Sequence, residues 1–83
     1  MLTRYIKAAL RHAQFEQMED GRWFAAIPPC PGLWADGDTQ EKSREELDGV
    51  LEDWILIKVR LGQTLPVIDG VDLNPQPLYA EAD

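Results

Sequence analysis

Cysteine is almost missing from this chain of 83 residues. Cys30 is the only one, so no internal disulfide can form. That excludes the stapled framework of a small secreted domain and fits a reducing, cytoplasmic location. Imidazole is as scarce, with His12 alone, and neither residue repeats at a metal-ligand spacing. No metal and no cofactor are therefore expected. Long apolar runs are also lacking. The opening segment MLTRYIKAALRHAQ intersperses Arg4, Lys7 and Arg11 among its apolar residues, which suits neither a signal peptide nor a membrane span. Basic side chains are outnumbered eight to fifteen by acidic ones, for a net charge of -7. Phosphate affinity rests on clustered Lys and Arg, so direct nucleic-acid binding is not expected. The six glycines include no phosphate-cradling pattern: Gly32, Gly37, Gly49 and Gly62 fit neither a P-loop nor a dinucleotide turn.

What remains is one small α+β domain. Tyr5 or Ile6, Ala9, Leu10 and Ala13 share a side of a helical wheel, predicting a short helix over about 3–13 with Thr3 as its cap. Strands follow at about 14–19 and 22–27, joined at Asp20-Gly21, where both residues tolerate positive φ. Pro28 and Pro29 end the second strand, since neither can donate to a ladder. A short third strand is expected at about 33–37. Trp23, Phe24 and Trp34 read as core, because only Arg22 among their neighbours is basic. Thr39 is placed to cap a helix over about 40–61, which Gly62 would stop. Its core stripe reads as Leu47, Val50, Leu51, Trp54, Ile57 or Lys58, and Leu61, and Gly49 suggests a close packing contact. The tail, 63–83, offers one further strand at Val67–Ile68 or Val71–Leu73. A three- or four-stranded antiparallel sheet on one long helix is the expected architecture.

The long helix has more apolar surface than one stripe. Trp54, Ile55, Leu56 and Val59 ask for a second cover, and a small core gains stability by association. A homo-oligomer, most simply a dimer, is expected to use these four residues.

Chemistry has few carriers. Cys30 between prolines is an apolar filler, since a nucleophilic thiol needs a cationic activator and only His12 could serve. His12 at a helix end reads as a surface residue or dipole partner. Asp36, Asp38, Glu41, Glu45 and Glu46 gather at one strand-to-helix junction. Such carboxylates could hold Mg²⁺ for a nuclease, but acids are favoured in a helix's first turn anyway. The chain is therefore expected not to be an enzyme. Trp34, Asp36, Asp38, Glu41 and Glu45 are the expected surface for a basic partner.

The stretch WFAAIPPCPGLWADGDT, followed by a helix bearing Glu41 and Glu46, resembles the HicB-like antitoxin family. The matching residues are Phe24, Ala25, Ile27, Pro28, Pro31, Gly32, Ala35, Gly37, Asp38, Thr39, Glu41 and Glu46, with LPVIDG near residue 65 as the segment after the helix. The resemblance covers roughly residues 15 to 70 and implies a partial ribonuclease-H-like layer without catalytic acids. It also implies an oligomer that neutralises a small basic RNA-cleaving toxin, HicA, by covering it. Typical members add a C-terminal DNA-binding unit. The tail here has no room for one, so operator binding is not expected. Where the family usually has alanine facing the sheet, this chain reads Lys42-Ser43.

Overall fold

In the computed structural model, which describes residues 2–74, β-strands β1 (Gln14–Gln17), β2 (Trp23–Ala26) and β3 (Trp34–Gly37) follow helix α1 (Leu2–Arg11) and precede helix α2 (Gln40–Arg60). The strands form one antiparallel sheet in the order β1-β2-β3. This is the expected α+β architecture, with three strands among the described residues. Phe15, Ala25 and Ala35 pair in one row across the sheet, and Glu16, Phe24 and Asp36 in the next. Since side chains alternate between faces, the first row lies under α2 and the second faces away.

The turns differ in kind from one another. At the β1–β2 hairpin, Met18 N–H donates to Arg22 O (2.7 Å) and Gly21 N–H to Met18 O (2.9 Å). Gly21 has φ +88°, whereas Asp20 keeps a negative φ. The loop is thus a type I turn closed by a glycine bulge, which shortens the expected strands at both sides. Ile27 and Leu33 are joined by two consecutive turns that share Cys30, with N–H···O distances of 2.8 and 3.1 Å. Pro31 followed by Gly32 at φ +82° makes the second a type II turn. This double turn presses Ile27, Cys30 and Leu33 into the core.

Helix α2 begins and ends as its residues dictate. Thr39 is extended (φ -130°, ψ 164°), and its hydroxyl accepts from Lys42 N–H at 3.0 Å. At the other end Gly62 N–H reaches Val59 O (3.1 Å) and Gln63 N–H reaches Lys58 O (2.9 Å), a Schellman closure with Gly62 at φ +67°. Between them the buried line is Ser43, Leu47, Leu51 and Ile55. This corrects the expected stripe: Ile57 and Leu61 are exposed and Val50 and Trp54 only half-buried. A spacing of four drifts around the helix, because the cover changes along it. The first half lies on β2 and β3, while the second meets α1 and the segment 65–73. Gly49 has no neighbouring atom within 4 Å of a would-be Cβ, so it is not the packing contact expected.

Helix α1 starts at Leu2, which leaves Thr3 inside its first turn rather than capping it. Tyr5, Ala8 and Ala9 are its buried residues, and the Tyr5 hydroxyl donates to Pro66 O at 2.7 Å. Pro66 belongs to the segment that replaces the expected tail strand. Leu65, Ile68 and Val71 are buried there, around an isolated bridge between Ile68 and Val71. Asp69 (φ 51°) and Gly70 (φ 78°) form the two-residue type I′ turn within it. Asn74 closes the segment, its side-chain amide bonding both Leu65 N–H (2.7 Å) and Leu65 O (2.8 Å). Among the described residues no helix is long and apolar enough to cross a membrane.

Candidate partner-binding surface

Strand β3 carries the first part of the surface. Ala35 and Gly37 are buried, so Trp34 and Asp36 point to the opposite face of the sheet. There Trp34 stacks on Phe24 with ring centroids 5.8 Å apart and an interplanar angle of 22°. Trp34 remains 54% exposed. The aromatics expected as core therefore divide: Trp34 and half-buried Phe24 line a solvent face, and Trp23 alternates toward α2 at the hairpin end.

Arg22 organises the acids beside this stack. Its guanidinium lies 3.4 Å from Asp36 and makes a short contact with Asp38. Both acids keep much of their carboxylate in water, so these pairs fix geometry more than they add stability. Beyond Asp38 the chain turns the corner into α2, where Glu41 and Glu45 are exposed. Glu45 pairs with Lys42 at 3.5 Å. The five residues expected to bind a partner thus lie along one corner of the molecule, on two faces: Trp34 and Asp36 on the sheet, Glu41 and Glu45 on the helix, with Asp38 between them.

The corner is held by a close approach. A Cβ on Gly37 would lie 2.6 Å from Ser43 N and 2.8 Å from Lys42 C, so the strand backbone rests on the first turn of α2. Ser43 fits the same contact, fully buried with its hydroxyl donating to Gln40 O at 2.6 Å. It occupies the sheet-facing position where the resemblance calls for alanine.

The remaining candidates separate. Burial pushes the Cys30 thiol up to about 11, against a smaller opposing effect of Lys58. Such a thiol is a poor nucleophile near neutral pH. His12 Nε2 lies 2.8 Å from Asp69, and Arg11 joins the same carboxylate at 3.4 Å. The hydrogen bond from His12 leads in holding the Asp69 carboxyl below its usual value. Of the four residues expected for self-association, Ile55 is in the core, Trp54 is half-buried with Lys58 Nζ 5.3 Å from its ring centre, and Leu56 and Val59 are exposed. Ile55 is a correction: the drift of the buried line carries it inward. Among the described residues no three His, Cys, Asp or Glu side chains gather closely enough to hold a metal ion.

With this geometry in place, comparison with known proteins adds a family. The sequence model described as UPF0150-like matches residues 4–66. The chain belongs to the UPF0150-like family. That range takes in the whole sheet, all of α2 and nearly all of α1, so the match spans the corner just described. The UPF0150-like architecture is shared with TTHA0281 from Thermus thermophilus, whose crystal structure is 32% identical with a TM-score of 0.85 over 92% of this chain and 95% of that one. Comparison with curated proteins returns no match.

Proposed function

We propose that this UPF0150-like chain is a non-catalytic binding module of the HicB-like antitoxin type. It would neutralise a small, basic, RNA-cleaving protein, HicA-like, by covering that protein's active surface. The observation that carries this reading is the exposed Phe24–Trp34 stack bordered by Asp36 and Asp38. A rigid indole supplies an anchor that gains by leaving water, and a surrounding rim of carboxylates complements lysine and arginine. Glu41 and Glu45 extend the same charge around the corner, and the net charge of -7 speeds encounter with a cationic partner. Arg22 keeps Asp36 and Asp38 aimed outward while leaving them accessible. In this reading the chain needs neither cofactor nor reaction of its own.

The test is suppression of RNA cleavage. A small basic ribonuclease captured from the source cells is assayed alone and with the purified chain. Cleavage should stop near equal stoichiometry, and Trp34→Ala combined with Asp36→Lys should restore it. Undiminished cleavage in the presence of excess chain would overturn the proposal.

A further inference from the structure

The face of the sheet turned away from α2 carries two rows of side chains. Glu16, Phe24 and Asp36 form one, and Gln14, Ala26 and Trp34 the next. Ala26 is the smallest of the six, and beside it lies an open depression of ≈ 290 Å³, lined by Gln14, Phe15, Glu16, Phe24 and Ala26. Trp34 stacks on Phe24 but is not part of this lining, so one side of the Phe24 ring meets the indole and another borders the depression. The two acids of the first row are not equivalent. Arg22 engages Asp36 at 3.4 Å. Glu16 is exposed and has no ion-pair or side-chain hydrogen-bond partner among the described residues. It is also absent from the five residues expected to bind a partner.

We propose that this depression receives an arginine side chain of the protein partner. The inference rests on the binding-module reading above and names the group that the partner inserts. A guanidinium can lie flat against the Phe24 ring, whose π-face attracts a cation, and turn its edge N–H groups toward the Glu16 carboxylate. Gln14, two residues along the same strand, supplies an amide oxygen as a further acceptor. The alkyl stem covers Ala26 and the flank of the ring and leaves water in doing so. Lysine meets part of this demand, since its compact ammonium has neither a plane to stack nor a fork to match a carboxylate. An anion is repelled by Glu16, and a neutral apolar group leaves that carboxylate unanswered. With Asp36 already engaged by Arg22, Glu16 is the carboxylate of its row whose hydrogen-bonding capacity is fully open.

Titration of the isotope-labelled full chain with N-acetyl-arginine amide and, separately, N-acetyl-lysine amide, followed by two-dimensional NMR, tests this. The backbone amides of Glu16 and Phe24 and the indole N–H of Trp34 should shift together. Arginine should bind about threefold or more tighter than lysine. Glu16→Gln, a change at an exposed carboxylate without a partner, should weaken arginine binding by about threefold and bring the two probes close to equality. Shifts scattered elsewhere on the chain, equal binding of both probes by the wild type, or undiminished arginine binding by Glu16→Gln each overturn the inference. Suppression of RNA cleavage is read in a separate assay. Suppression without arginine selectivity leaves the antitoxin reading standing and removes this one. Arginine selectivity without suppression does the reverse and assigns the site to another arginine-bearing protein.

Discussion

Gly37 has no room for a methyl group, because β3 rests there on the backbone of the first turn of α2. Gly37→Ala should destabilise the fold by about 1–3 kcal/mol, because the backbone atoms it would strike cannot rotate away. Chemical denaturation of the two proteins measures the difference. Burial gives Tyr5 and Cys30 a second kind of consequence. Burial is the main cause lifting the Tyr5 hydroxyl to about 12, with Cys30 and Asp72 adding to it, and burial lifts Cys30 to about 11. Both pKa values are higher folded than unfolded, so the native state holds protons that the unfolded chain releases. Stability is then full below about pH 9 and declines as pH rises toward 11, with Tyr5 extending the loss toward 12. Thermal unfolding followed between pH 7 and 12 should show that decline, and Tyr5→Phe should remove its upper part. Residue types announced some of this and not the rest. Cys30 between prolines read correctly as a filler. Trp34 read both as core and as partner surface, because an aromatic in a short strand carries no mark of which face it occupies.

At the scale of elements, caps were the most legible feature. Thr39 and Gly62 bracket α2 through local chemistry that needs no tertiary partner. Thr39→Ala should therefore cost about 1 kcal/mol. Gly49 gives the opposite sign: exposed within the helix and touching nothing, it should be improved by Gly49→Ala, by up to about 1 kcal/mol. Melting the two variants beside the wild type, at one protein concentration, checks both signs. Phase along α2 was harder to read, since a spacing of three and four fits several adjacent stripes, and what covers the helix selects among them. The two Asp-Gly pairs teach the same lesson. At Asp20-Gly21 the first strand ends two residues early, the second begins one late and a bulge forms, whereas Asp69-Gly70 makes the tight two-residue turn. The dipeptide permits both forms, and the register of the flanking residues chooses.

For the whole molecule, the segment after α2 matters more than its lack of regular structure suggested. Leu65, Ile68 and Val71 are buried against the helices, and Pro66 accepts the Tyr5 hydrogen bond. Burying three such side chains contributes about 5–9 kcal/mol, comparable to the total stability of a small domain. A chain ending at Gln63 should therefore lose cooperative unfolding, seen as a loss of near-UV circular dichroism. The sequence showed only scattered apolar residues here, because a plug that meets two helices follows neither of the regular periods. The overall fold was legible since the alternating strands and the capped helix are each specified locally. The corner surface was legible as composition, but its division between two faces depends on the sheet register.

The stacked pair on the open face of the sheet also gives the molecule an optical handle. Of the three tryptophans, Trp34 is the one more than half in water, while Trp23 and Trp54 are partly shielded. Its emission should therefore be the reddest of the three and the most readily quenched by iodide. Anything that settles over Phe24 would shift that light toward the blue without touching the other two indoles, so the protein reports occupancy of this face with no label attached.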